Sequence, residues 1–136
     1  MKYISALLFF IISCSFPEQN VLFDSQQEVF DFIDENYHYE KIEGEPLQLP
    51  VKTLETLKGD CGDWCLLAVK CLTDIGIDAK FAGCIKSSYP PNYYHALVYI
   101  DGQIFETRGG RNVTNEYTIK FIFTYEETLL LRVFLL

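Results

Sequence analysis

The chain has 136 residues, of which 49% are apolar, with 11 basic residues against 19 acidic ones and a formal net charge of −8. This length and composition are typical of one globular domain with a modest core, and the sequence contains no internal repeat or low-complexity tract. Because the chain is strongly acidic, nucleic acid and anionic lipid surfaces are not expected as partners.

The first residues have the pattern of a bacterial export signal. A basic start is followed by an apolar run over residues 4–13 that is too short to span a bilayer comfortably. Ile11-Ile12-Ser13-Cys14 resembles a lipobox. We therefore interpret 1–13 as a signal peptide and Cys14 as a lipidated N-terminus that anchors an exported lipoprotein at the periplasmic or extracellular face of a membrane. An ordinary signal peptide and an uncleaved anchor are the alternatives.

A tether is expected over residues 14–24, followed by a folded domain over 25–136. Ser25 and Glu28 form a capping-box pattern, and the apolar residues after them predict an amphipathic helix to about residue 36. Packing against the rest of the domain is sufficient to explain this helix, and we assign it no functional role. A short helical turn is predicted at 53–57.

The next helix, over about 61–75, begins with a thiol. Asp60 is a good N-cap, Asp63 completes a capping box, and Gly76 ends the apolar run that follows. Cys61 therefore lies in the first turn, where unpaired N–H groups and the helix dipole favour a thiolate. The two aspartates oppose this effect, so activation of the sulfur requires a histidine.

The second half of the domain reads as strands. Asp101-Gly102 lies between two β-rich runs and predicts a type I′ hairpin. A helix that precedes an antiparallel sheet, with the helix N-terminus against a strand, is an α+β arrangement. The predicted strands cover residues 77–84, 93–100, 103–107 and 117–123.

The hairpin register brings His95 and Glu106 to one face of the sheet. If Asp101-Gly102 is the loop, Leu97 pairs with Glu106, and His95 is the diagonal neighbour of Glu106. Diagonal neighbours lie about 7–8 Å apart at the backbone, within reach of an imidazole and a carboxylate. The sequence thus supplies a thiol, an imidazole and a carboxylate, the set used by thiol acyl-transfer enzymes. His38, in a stretch without strand pattern, is interpreted as a surface or hydrogen-bonded residue.

These motifs resemble the transglutaminase-like superfamily of cysteine enzymes. Gly59-Asp60-Cys61-Gly62-Asp63 fits a G-x-C-x-D start, Gly76-Ile77-Asp78-Ala79-Lys80 fits the helix end G-I-x-A-[RK], and His95-Ala96-Leu97-Val98 fits a strand that opens H-A-W-V. Upstream, the segment 47–57 resembles the W-Q-x-P-x-E-T-L segment of bacterial members. The resemblance covers about residues 45–110.

The resemblance implies a papain-like, transglutaminase-like core and a role for each site residue. It makes Cys61 the nucleophile, His95 the general base and Glu106 the orienting acid, with Gln48 helping to stabilise an oxyanion. Glu106 stands where the family usually has aspartate, and Leu97 where it usually has tryptophan.

The function expected is attack by Cys61 on a peptide or protein carboxamide, resolved by water or an amine, with no cofactor. In bacterial relatives, the resemblance favours hydrolysis over cross-linking. A cell-wall peptidase of the NlpC/P60 type and a non-catalytic peptide-binding or assembly module remain the alternatives.

The other cysteines and the C-terminus carry less information. Cys65, Cys71 and Cys84 are expected to be buried, although a bridge from Cys84 to Cys71 or Cys65 is conceivable in an oxidising compartment. Cysteine spacing does not fit a zinc site, so no metal is predicted. The apolar residues 129–136 are compatible with a further strand, packing on the sheet or contact with a membrane.

Overall fold

The computed structural model describes residues 23–41 and 46–134 and shows an α+β fold, which confirms the predicted fold class. The predicted signal peptide and Cys14 lie outside the described residues. In chain order the elements are α1 (Gln26–Asn36), α2 (Pro50–Thr56), α3 (Cys61–Asp74), β1 (Ala79–Ile85), β2 (His95–Ile100), β3 (Gln103–Phe105), β4 (Thr118–Phe123) and α4 (Tyr125–Phe134).

The four strands form one antiparallel sheet in the order β3-β2-β1-β4. The β2–β3 hairpin has the predicted register, with Ile100 opposite Gln103 and Val98 opposite Phe105. Asp101 and Gly102 have φ angles of 48° and 80°. These are the left-handed values that a type I′ turn requires, which explains why Asp-Gly occupies the loop.

Beyond Phe105 the predicted ladder does not continue, so the pairing of Leu97 with Glu106 is wrong in detail. The chain turns away from β2 instead. The Glu106 N–H donates to the Arg111 carbonyl at 2.9 Å, and the Gly110 N–H donates to the Glu106 carbonyl at 3.1 Å. Glu106 thus occupies the start of a tight turn directly after the strand.

Helix α1 begins as the capping-box pattern predicts, because the Ser25 Oγ accepts from the Glu28 N–H at 3.2 Å. The Glu28 carboxylate accepts from the Asp24 N–H at 2.9 Å. Phe23, which we expected in the tether, is buried, and its ring lies 5.5 Å from that of Phe32. The folded domain therefore includes at least the last two residues of the predicted tether, because Phe23 is part of the core.

Helix α3 is the centre of the molecule. It packs against the other three helices and against β1 and β2, and its middle turns are buried on all sides. A helix that is apolar all round belongs in a core, which fits the run from Trp64 to Val69. A smaller cluster covers the sheet with the buried side chains of Ala82, Cys84, Leu97, Ile104 and Val113. The site residue at the start of α3 is therefore anchored by most of the hydrophobic core.

The C-terminal segment forms the helix α4, which was not predicted, and this helix contacts β1 and β4, in line with one of the three expected arrangements, packing on the sheet. Thr124 and Glu127 form a capping box at its start: the Glu127 N–H donates to Thr124 Oγ1 at 3.1 Å, and the Thr124 N–H donates to Glu127 Oε1 at 3.0 Å. Arg132 then donates from Nε to the Leu47 carbonyl. Within the described ranges, no helix has the length and apolar character needed to cross a membrane.

Candidate active site

Cys61 is the first residue of α3 and is partly exposed. The predicted capping box holds this end of the helix: Asp60 Oδ1 accepts from the Asp63 N–H, and Asp63 Oδ2 accepts from the Asp60 N–H, both at 3.0 Å. The thiol therefore lies at the positive end of the helix dipole, on backbone that is fixed from both sides.

His95 bridges the thiol and the carboxylate. Its Nε2 lies 3.1 Å from Glu106 Oε2, and its side chain is close enough to Cys61 for hydrogen bonding with the thiol to contribute to its raised pKa. Since Nε2 faces Glu106, Nδ1 is the ring nitrogen left for the sulfur. The structure thus brings together the three side chains that the sequence predicted as a group, although they lie on α3, β2 and the turn after β3.

The electrostatics of this group favour a charged imidazole. Burial lowers the pKa of His95, but its hydrogen bonds to Cys61 and Glu106 and their negative charges outweigh burial and raise the pKa to about 10. Burial likewise opposes ionisation of Glu106, yet His95, together with Arg111 and Lys86, lowers the pKa of that carboxyl. At neutral pH His95 and Glu106 form an ion pair next to the sulfur.

Aromatic side chains that the sequence did not single out cover His95. The Tyr117 ring lies 5.7 Å from the His95 ring, and its hydroxyl lies 3.1 Å from that of Tyr89. Lys86 Nζ lies 4.9 Å from the Tyr89 ring centre and 5.0 Å from that of Tyr117. A predicted register between β1 and β4 would have placed Tyr117 near His95. Cys84 of β1 lies opposite both Ile119, two residues after Tyr117, and His95.

A cavity of about 140 Å³ opens beside the three residues. Tyr37 and Arg108 form part of its wall, and neither was predicted. A short parallel bridge between Tyr39 and Gly59 brings the end of α1 to the loop before Cys61. The described residues that line the cavity are Tyr37, Cys61, Trp64, His95, Ala96, Glu106, Thr107 and Arg108.

Two exposed tyrosines, Tyr39 and Tyr93, lie close enough to Cys61 to sense its charge. Burial raises the pKa of each, and the negative charge on Cys61 adds to that effect. They occur on different loops, one after α1 and one before β2. Local sequence patterns did not indicate that these two loops both lie within electrostatic range of Cys61.

Gln48 lies elsewhere than its expected oxyanion role requires. Its side-chain nitrogen donates to the Lys58 carbonyl at 2.9 Å and to Asp63 Oδ2 at 3.1 Å, so both amide hydrogens are used. Its backbone N–H donates to Asp63 Oδ1 at 2.7 Å. Gln48 is not among the residues that line the cavity. The geometry therefore gives Gln48 a structural role, as a support for the capping box beneath Cys61.

Gly59 packs directly against this support. A Cβ at position 59 would lie 2.7 Å from the Asp63 Cβ and 3.0 Å from the Gln48 side-chain nitrogen. Because real Cβ atoms do not approach a neighbouring Cβ so closely, the loop before the nucleophile fits only a residue without a side chain.

Replacing Asp63 with alanine should lower the free energy of unfolding by about 2–3 kcal/mol, since the buried donors of Gln48 and the partly buried N–H of Asp60 lose their acceptor. Burial raises the pKa of Asp63, and these same donors oppose that rise. Urea unfolding measures the change. Asp74→Ala, which removes an i,i+4 pair with Lys70 on the same helix, is the matched control and should cost less than about 1 kcal/mol. Equal losses in both variants would contradict the support role.

The remaining candidates are His38 and three buried cysteines. His38 is exposed, and its carbonyl accepts from Trp64 Nε1 at 3.2 Å. Cys65, Cys71 and Cys84 are buried and form no disulfide within the described part of the chain. Burial raises the pKa of Cys65 well above the usual thiol range and that of Cys84 to about 11. Among the described residues, no group of three or more His, Cys, Asp or Glu side chains could hold a metal ion.

Residues 15–105 match the family model of the transglutaminase-like superfamily, which is more than half of the chain. The chain belongs to the transglutaminase-like superfamily. The matched region contains Cys61 and His95 and ends at Phe105, one residue before Glu106. No curated protein matches the sequence.

A solved structure supports the same fold. It is that of a protein from Cytophaga hutchinsonii, provisionally named a cysteine protease, with a TM-score of 0.52 and 15% sequence identity. The match covers 87% of this chain and 48% of the Cytophaga protein, so the chain spans about half the length of that relative. At this identity the similarity establishes a shared fold.

Proposed function

We propose that this chain is a thiol-dependent amide or peptide-bond hydrolase, or an acyltransferase, in which Cys61 is the nucleophile, His95 the acid and base, and Glu106 the orienting acid. One observation carries the proposal: Cys61, His95 and Glu106 line one cavity, with His95 within hydrogen-bonding reach of the Cys61 thiol and 3.1 Å from the Glu106 carboxylate. Membership of the transglutaminase-like superfamily supports the proposal, because the roles match those of its cysteine enzymes.

The first half of the reaction would form an acyl-enzyme. The Cys61 sulfur, as a thiolate paired with protonated His95, attacks the carbonyl carbon of the substrate and forms a C–S bond. The backbone N–H of Cys61 lies at a helix N-terminus, where it is available to stabilise the oxyanion. Protonated His95 gives its proton to the leaving nitrogen as the C–N bond breaks, which releases an amine and leaves a thioester.

The second half would release the acyl group. Neutral His95 accepts a proton from water or an amine as that nucleophile attacks the thioester, and the C–S bond then breaks and regenerates the thiolate. Glu106 remains ionised throughout and stabilises the imidazolium that forms in each half. Hydrolysis and acyl transfer share every residue and differ only in which nucleophile enters. The name of the Cytophaga relative makes hydrolysis the first reaction to assay.

A thiol-labelling experiment tests the proposed nucleophile without knowledge of the substrate. Iodoacetamide at pH 6.5 should modify Cys61 and leave Cys65, Cys71 and Cys84 untouched, because these three are buried and only Cys61 is paired with a histidine. Peptide mapping by mass spectrometry locates the adduct, and Cys61→Ser should abolish it. Labelling of several of these cysteines at one rate would contradict an activated Cys61.

Turnover assays separate the enzyme from a binding module. Casein, glutamine-containing peptides and cell-wall stem peptides cover the hydrolase, transferase and cell-wall peptidase possibilities. An activity that iodoacetamide destroys supports the enzyme. Undiminished partner binding in Cys61→Ala, with no turnover of any of these substrates by the wild type, supports the module.

We also propose that the chain is exported and anchored through a lipid on Cys14, as the lipobox-like sequence indicates. Metabolic labelling with a fatty acid in a bacterial host tests this directly. The wild type should incorporate the label and partition with membranes, whereas Cys14→Ser should do neither. An unlabelled wild-type protein would leave an ordinary signal peptide as the better interpretation.

A further inference from the structure

Arg108 lies on the wall of the cavity that also contains Cys61, and its guanidinium is held in place on two sides. Nε donates to Asp34 Oδ1 at 2.8 Å, and the guanidinium carbon lies 5.1 Å from the centre of the Tyr37 ring. Both partners lie on or directly after α1. The side chain is thereby positioned before any ligand arrives, which lowers the entropic cost of binding one.

The outer nitrogens of this guanidinium are available. The Asp34 bond uses Nε, and among the described residues no hydrogen-bond acceptor is found for the two terminal nitrogens. An arginine fork with free terminal N–H groups matches the two oxygens of a carboxylate. The pair with Asp34 is largely exposed, and such pairs are weak in water, so Arg108 can accept a second anion.

The charge of the cavity points to the same ligand. Arg108 is the only lysine or arginine among the described residues that line it. His95 forms its ion pair with Glu106, and Asp34, the acid paired with Arg108, is not among the described residues that line the cavity. The volume of about 140 Å³ is below the range of about 300–1,000 Å³ that is typical of small-molecule sites, and it suits a short acidic group.

We propose that Arg108 is a specificity-determining residue that binds a carboxylate close to the scissile carbonyl, so that the preferred substrates are peptides with a negative charge beside the bond attacked by Cys61. The inference rests on the proposed function and names its substrate class. The carboxylate comes either from an acidic side chain or from the free C-terminus of the peptide.

Two alkylating agents that differ only in charge test this on the full chain. Iodoacetate carries the carboxylate and iodoacetamide is its neutral analogue, so the ratio of their rates at Cys61 isolates the charge effect and cancels any change in general reactivity. Arg108→Gln should lower the iodoacetate-to-iodoacetamide ratio by about three- to tenfold, as expected for loss of one nearby charge in a partly hydrated cavity.

Two further variants distinguish ligand binding from structural or long-range effects. Arg108→Lys keeps the charge and should retain most of the wild-type ratio. Arg111→Gln is the matched control, because Arg111 is similarly exposed, 64% against 59%, and similarly paired with an acid, but it does not line the cavity. An unchanged ratio in Arg108→Gln, or an equal fall in Arg111→Gln, would overturn the proposal.

Peptide pairs then identify the source of the carboxylate. One pair differs by aspartate against asparagine beside the scissile residue, and the other by a free against an amidated C-terminus. The charged member of one pair should have the larger kcat/KM in the wild type and lose that advantage in Arg108→Gln. If neither charged member is preferred, the inference fails while the proposed function stands; if Cys61 is not selectively alkylated by either reagent, both fail.

Discussion

Replacing His95 with alanine should lower kcat/KM for amide hydrolysis by about 10²–10⁴-fold, which is the usual contribution of a positioned general acid and base. The variant loses the charged partner of the Cys61 thiolate and the proton donor for the leaving nitrogen at once. Iodoacetamide alkylation of Cys61 at pH 6 gives a second measurement. Its rate should fall about tenfold or more, because an unassisted thiol with a pKa of about 8.5 is almost fully protonated at that pH.

The chain contains only two histidines, which provides a matched control. His38 is exposed and lies after α1, so His38→Ala should leave both rates within about twofold of the wild type. Circular dichroism and urea unfolding must show that His95→Ala is folded. A folded His95→Ala protein with wild-type rates would remove His95 from the mechanism.

Replacing Glu106 with glutamine should lower the pKa of His95 from about 10 by about 1–3 pH units, the usual effect of one adjacent opposite charge. The Glu106 hydrogen bond and charge are among the causes of the raised value, with Cys61 supplying the rest. NMR titration of isotopically labelled histidine measures the shift, and His38→Ala assigns the two signals. A wild-type His95 that titrates near its ordinary value of 6.5 would contradict the ion-pair description.

The same ion pair sets the pH dependence of stability. His95 binds its proton more tightly in the folded state, so its contribution is complete below about pH 6.5 and is lost as the pH rises toward about 10. The pKa of Glu106 is lowered from 4.5, so its contribution is complete above that pH and is lost on acidification. The stability difference between the wild type and Glu106→Gln should therefore be largest near pH 6 and decrease toward pH 10. Urea unfolding at a series of pH values tests this trend.

Most of what the sequence predicted correctly depends on local signals. The capping box of Asp60 and Asp63 fixed the start of α3, and Asp101-Gly102 fixed the hairpin register that puts His95 near Glu106. Helix α4 was missed although Thr124 and Glu127 form the same kind of signal, because the apolar run after them suits a strand equally well.

The rest of the site depends on contacts between distant segments. Tyr37 and Arg108 meet at the cavity only because α1 packs on α3 and the turn after β3 folds back onto α1. The oxyanion role of Gln48 was predicted because the segment around it resembles one in the family. Its amide instead contacts Asp63, and this contact depends on where α3 places Asp63 in three dimensions. Contacts of this kind leave no periodic pattern or fixed spacing in a single sequence, so they could not be predicted from it.

The absence of a side chain at Gly59 has a practical consequence for directed evolution. In a library that randomises the loop before the nucleophile, variants with any other residue at position 59 should misfold. Every side chain at this position would displace those of Asp63 and Gln48. Diversity aimed at new selectivity is better placed at Tyr39 and Tyr93, whose exposed rings can change without disturbing the packed interior.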